Sequence, residues 1–234
     1  NSKGELVLNA NQVNLYNKKN GPKIIRKPMC KEIVSSFPYK EGFESAESLS
    51  WTQSDEDDVD WTHHSGATPS EDTGPLYAFE GTHYYFIEAT SPFPPIKEAI
   101  LESSCFNVID LNELYFNFKY HMFGNDMGSL TLQWSSDGNQ WNDLWSKSGN
   151  QGDQWASESI EVPLSGKNLE NIKFRFVGVT GIGFNSDMAI DGIEVTKTPT
   201  TDLCTKEFTD NEGVFEKYSN NQDQTWTYYP NIEG

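Results

Sequence analysis

The chain has 234 residues, with 17 Lys and Arg against 35 Asp and Glu and a formal charge of −18. It therefore lacks the basic face that a phosphate backbone requires, which argues against nucleic acid as a partner, and it holds no apolar run near the roughly 20 residues of a membrane helix. Hydrophobic residues make up only 35%, yet aromatics reach 13%, so the composition is that of a folded domain with a wet exterior rather than of a disordered segment.

Residues 1–35 differ from the rest, with seven of the 17 basic residues between Lys3 and Lys31, and with Gly21-Pro22 and Lys27-Pro28 interrupting any regular element. This stretch reads as a connector or the tail of a preceding domain. From Phe37 the sequence becomes strand-like, and residues 36–198 are expected to form one domain. Ser54-Asp55-Glu56-Asp57-Asp58-Val59-Asp60 is an acidic loop, and Thr68 to Pro75 is a second loop rich in turn residues. Runs of strand composition follow at Tyr84 to Thr90, Ala99 to Glu102, Glu113 to Phe123, Ser129 to Ser135, Ser157 to Pro163, Asn171 to Val179 and Met188 to Thr196. Leu114, Phe116, Phe118 and Tyr120 fall on one face, while Tyr115, Asn117, Lys119 and His121 fall on the other. Leu130, Leu132 and Trp134 repeat this period, as do Ile172, Phe174 and Phe176. Asp137-Gly138 suits a hairpin turn between Trp134 and Trp141, because Gly tolerates positive φ. No long 3.6-residue apolar period interrupts the pattern. The fold class expected is all-β, an antiparallel jelly-roll β-sandwich. Residues 199–234 read as the start of a further β module or as extra strands.

Cys30, Cys105 and Cys204 lack metal-type spacing and allow at most one intramolecular pair. A secreted protein with one disulfide and a cytosolic one with three buried thiols both remain open on that count. The four histidines form no H-E-x-x-H pattern, and His63 and His64 point to opposite sides of an extended chain.

Glu41-Gly42-Phe43-Glu44, Trp51-Thr52-Gln53, Asp58-Val59-Asp60-Trp61 and Thr73-Gly74-Pro75 occur in the order that opens a MAM domain. Phe118-Lys119-Tyr120-His121-Met122-Phe123-Gly124, Leu144-Trp145, Gly149-Asn150-Gln151-Gly152 with Trp155, and Met188-Ala189-Ile190-Asp191-Gly192-Ile193 continue it. From about Phe37 to Val195 the chain resembles this family, in versions found in secreted multidomain bacterial proteins. Residues 204–234 are similar to the first strands of a CUB domain, with Gln224 where a cysteine is expected before Trp226.

The resemblance implies a noncatalytic extracellular module, secreted or at the cell surface, that serves adhesion, recognition or assembly within a larger protein. Its implied partners are proteins or glycans of a cell surface or matrix, with homophilic association among the options. The resemblance also implies a disulfide between Cys30 and Cys105, with Cys204 free or paired elsewhere. It further implies one structural calcium or similar cation held by Glu44 and Asp191 with part of Asp58 and Asp60. Calcium needs six to eight oxygens, which an acidic loop can offer; a solvated loop with Asp58 and Asp60 capping turns is the competing reading. Gly192 stands where the family has a second acidic residue.

Two alternatives accompany this reading. The chain could be a carbohydrate-binding module attached to a secreted enzyme, with Trp141, Trp145 and Trp155 as the rings that take a sugar's apolar side. It could also be the processed C-terminal part of a secreted metalloprotease.

Overall fold

The structure, a computed structural model, describes residues 29–46, 50–90, 96–164 and 167–198. Of the connector expected at residues 1–35, residues 1–28 lie outside the described ones, as do Cys204 and the CUB-like segment, while residues 29–35 join the domain through the Cys30–Cys105 bridge and a short strand. The described chain forms strands β1 (Ile33–Val34), β2 (Tyr39–Glu41), β3 (Trp51–Gln53), β4 (Thr62–Ser65), β5 (His83–Ile87), β6 (Glu98–Ser103), β7 (Cys105–Asn107), β8 (Tyr115–Met122), β9 (Ser129–Ser135), β10 (Asn142–Ser148), β11 (Gly152–Glu161), β12 (Asn171–Val179) and β13 (Met188–Thr196).

These strands make two sheets. The first runs β10-β9-β12-β6-β3, with β7 beside the start of β12 and β1 added to it in parallel. The second runs β11-β8-β13-β5-β4, with β2 along the end of β13. Apart from the β1–β7 pair, all these strand pairs are antiparallel, and the two sheets stack as a sandwich. Cys30 and Cys105 form the disulfide that the resemblance implied, fastening the start of β1 to β7.

The core is an aromatic layer between the sheets. Phe116 and Phe118 of β8 are fully buried against Phe176 of β12, with ring centroids 5.8 and 5.1 Å away. Trp51 stacks on Phe176 at 5.8 Å, and Phe174 lies 4.6 Å from Phe116. Each such ring contributes roughly 2–3 kcal/mol by leaving water, more than its rotamer entropy costs.

The other face of β8 departs from expectation, since Asn117 and His121 are buried rather than wet. Asn117 donates its side-chain amide to the Glu194 carbonyl at 2.9 Å, and His121 lies under Trp155, which is held by a strap, residues 73–82, that crosses the outside of the second sheet. Ala78 and Trp155 pack over Tyr84, Phe86 and Ala189, and Trp155 Nε1 donates to the Tyr77 carbonyl at 2.9 Å. The strap begins at Gly74, whose φ of +65° and close approach to the Thr68 side chain leave no room for a Cβ. Among the described residues, no such strap covers the outer face of the first sheet.

Candidate functional site

Two regions carry the residues that the sequence singles out. The first lies where β2 meets the end of β13. The β8–β13 register shifts between Asp191 and Glu194, and Gly192 takes a φ of +52° inside that irregularity. Asp191 is fully buried, and its Oδ2 accepts from the Phe79 and Glu80 amides at 2.8 and 3.1 Å while Oδ1 accepts from Gly192 N at 2.7 Å. Burial nevertheless pushes its carboxyl up to about 7, against those N–H donors and with the nearby Glu80 carboxylate adding to the rise.

Glu44 grips the next residues of the same strap. Its carboxylate accepts from Thr82 N, Thr82 Oγ1 and His83 N, each at 2.9 Å, and the two amides foremost pull its carboxyl down to about 2. Glu80, which sequence reasoning missed, reaches over Gly42 and Gly192: a Cβ on Gly42 would stand 2.7 Å from its Oε1. Glu44 and Asp191 thus hold residues 79–83 between them.

Asp58 and Asp60 are elsewhere. Asp58 Oδ2 accepts from Glu98 N at 2.9 Å, so this loop is tied to β6 in the first sheet, and Asp57 accepts from Ile100 N beside it. Ser54, Asp55, Asp57, Asp58, Val59 and Asp60 line a shallow, open depression. The four expected cation ligands are therefore not brought together. Among the described residues no group of three or more His, Cys, Asp or Glu side chains is arranged to hold a metal.

The three tryptophans divide in the same way. Trp145 turns inward, its ring 5.0 Å from Phe118 and 4.9 Å from Tyr120 in edge contacts. Trp155 is clamped beneath the strap against Tyr84, His121 and Phe79. Only Trp141 stands on the open face of the first sheet, where the Arg175 guanidinium lies 4.2 Å over its ring. Arg175 Nε donates to Gln133 Oε1 at 2.6 Å, and Gln133 Nε2 donates in turn to Asp143 Oδ1 at 2.7 Å. Burial lowers the Arg175 pKa somewhat, while Glu102, Glu98, Glu56 and Asp143 work against that by attraction.

The histidines split as the extended chain requires. His63 contacts the Phe43 carbonyl at 2.6 Å and stacks on His83, whereas His64 contacts the Ala67 carbonyl and packs on Tyr84 and Phe86. His121 sits 3.4 Å from Asp153 with its pKa lowered by burial, which keeps the ring neutral near pH 7.

Comparisons with known proteins identify the family of this chain. A family model described as MAM domain, meprin/A5/mu, matches residues 42–201. The chain belongs to the MAM family. Human MAM domain-containing glycosylphosphatidylinositol anchor protein 2 is 31% identical to this chain over 188 residues, covering 72% of the chain and 19% of that protein. The rat anchor protein 1 is 33% identical over 164 residues, covering 66% and 17%. The chain thus spans less than a fifth of the length of these curated relatives. Among solved structures, the K1 cleaved adhesin domain of Lys-gingipain from Porphyromonas gingivalis W83 is 17% identical with a TM-score of 0.48, covering 69% of this chain and 98% of that one.

Proposed function

We propose that this MAM chain is a noncatalytic adhesion or recognition module of a larger extracellular protein. The family membership of residues 42–201 carries the reading. The side chains that could do chemistry support it, because they are engaged in holding the fold: Glu44 and Asp191 bind strap amides, Asp58 binds β6, and His121 is buried under Trp155. A disulfide between Cys30 and Cys105 fits an oxidising, extracellular setting.

A structural cation belongs to the same reading, with its ligands narrowed to the strap. Glu80 lies near enough to Asp191 to raise its carboxyl, and a divalent ion there would have these two carboxylates and backbone carbonyls as its protein ligands, with Asp58 and Asp60 left to their loop. Calcium would then act on stability and on the position of residues 79–83, not on a reaction.

Adhesion is tested with beads that carry the full chain at fixed density, applied to cultured cells and to one another and counted by flow cytometry. The reading expects saturable attachment above that of albumin-coated beads. Attachment equal to albumin would overturn it.

A further inference from the structure

Among the described residues the two outer faces of the sandwich differ, and the one without a strap is organised. The strand registers put Asp143 of β10, Gln133 of β9, Arg175 of β12, Glu102 of β6 and Thr52 of β3 on a single rung across the first sheet. With strands roughly 4.8 Å apart, this rung of five is about 19 Å long, the length of a short oligosaccharide rather than of one sugar. Its members alternate in hydrogen-bonding character. A carboxylate, an amide, a guanidinium, a second carboxylate and a hydroxyl follow one another, and the Asp143–Gln133–Arg175 bonds fix the first three in place. Lys173 Nζ fixes Glu102 at 2.7 Å.

Trp141 adds an apolar platform at this rung. It follows a turn in which Asp137 Oδ1 accepts from Asn139 N and Gln140 N at 2.8 Å, with Ser135 Oγ accepting from Gly138 N at 2.9 Å. The turn is thus fastened before the ring begins, and Arg175 holds the ring from one side. A partly exposed indole in a fixed pose beside alternating donors and acceptors is suited to a pyranose, whose C–H face is apolar and whose hydroxyls both donate and accept.

Charge selects among sugars. Arg175 is surrounded by Glu102, Glu98, Glu56 and Asp143, and Lys173 is spent on Glu102. No cation on this rung is left over for a sulfate, phosphate or sialic acid, and the whole chain carries −18. We propose that the open face of the first sheet, centred on Trp141, Gln133 and Arg175, is a binding site for a neutral oligosaccharide.

This inference rests on reading the chain as a recognition module, and it names the ligand class for that reading. The test is a printed array of neutral, sialylated and sulfated oligosaccharides probed with the full chain, followed by surface plasmon resonance on the glycans retained. Neutral glycans should bind, and Trp141→Ala and Gln133→Ala should each weaken binding by about tenfold or more. Tyr77→Ala, on the strap of the opposite sheet, should leave it unchanged. Trp141→Phe keeps an aromatic platform and should retain part of the affinity, so a loss seen in Trp141→Ala can be separated from misfolding by comparing their melts. Retention of anionic glycans alone, or of none, overturns the proposal, as does binding that survives both substitutions. Bead adhesion that persists while the array is blank overturns the glycan site and leaves the module reading standing, whereas neutral-glycan binding without bead adhesion upholds the glycan site and overturns only the adhesive half of that reading.

Discussion

Asp187 is the residue whose replacement reports most sharply on this fold. It is fully buried, its Oδ1 accepts from Ala89 N at 2.9 Å, and its Oδ2 has no hydrogen-bond partner. Burial pushes its carboxyl from 3.8 up to about 7, with Glu88 adding to the rise and Lys97 and the Ala89 amide opposing it. A carboxyl raised on folding contributes stability that is complete below the unfolded value and is lost as pH climbs through the folded one. Between pH 5 and pH 8 the wild type should therefore lose about 3 kcal/mol on account of this group, since the loss runs from pH 5 to about pH 7 at about 1.36 kcal/mol per pH unit. Asp187→Asn keeps an oxygen for Ala89 N but cannot ionise. Its own cost, an amide NH2 where Oδ2 lacked a partner, is about 1–3 kcal/mol and does not depend on pH. The variant's stability relative to wild type should thus improve by about 3 kcal/mol from pH 5 to pH 8, roughly 6–12 °C in Tm for a chain of this size. Urea unfolding followed by tryptophan fluorescence at both pH values measures it. A relative stability that is the same at pH 5 and pH 8 would refute a buried, protonated Asp187.

Three further outcomes follow from the packing. Phe116→Ala empties the centre of the aromatic layer, where Trp51, Phe118, Phe174 and Phe176 all touch the ring, and should cost about 3–5 kcal/mol in chemical denaturation. Reducing the Cys30–Cys105 bridge, which closes a sequence separation of 75 residues, releases up to about 4.5 kcal/mol of unfolded-chain entropy; a melt unchanged by reductant would contradict that tie. Millimolar calcium should raise the melting temperature by several degrees with EDTA reversing it, and Glu80→Gln should blunt the shift while Asp58→Asn leaves it intact. No shift in the wild type would remove the cation from the account.

The legible parts of this fold are those where one face of a strand is apolar. β9, β12 and β13 follow the expected ranges, because Leu130, Leu132 and Trp134, then Ile172, Phe174 and Phe176, mark a buried face by alternation alone. β10, reading Asn-Asp-Leu-Trp-Ser-Lys-Ser, carries no strand signal in its sequence, since it lies at the sheet edge with most side chains in solvent and has little to alternate. The first half of β11 is hidden by the same polarity. Site residues obey a similar rule. The Cys30–Cys105 pairing came from family likeness, whereas Glu80 carried no signal because its role depends on how the strap lies over Gly42 and Gly192. Asp58 and Asp60 look like ligands in an acidic run, but only the three-dimensional register assigns their loop to β6. The rung through Arg175 is equally invisible in one dimension, since its five residues come from five strands.

The most direct test of the central claim is competition. Beads bearing the chain are allowed to attach to cells, and soluble chain is then titrated in, with albumin as the control. Recognition by this module predicts saturable displacement by the soluble chain and none by albumin. Attachment that soluble chain cannot displace, or that matches albumin-coated beads from the start, would contradict the account.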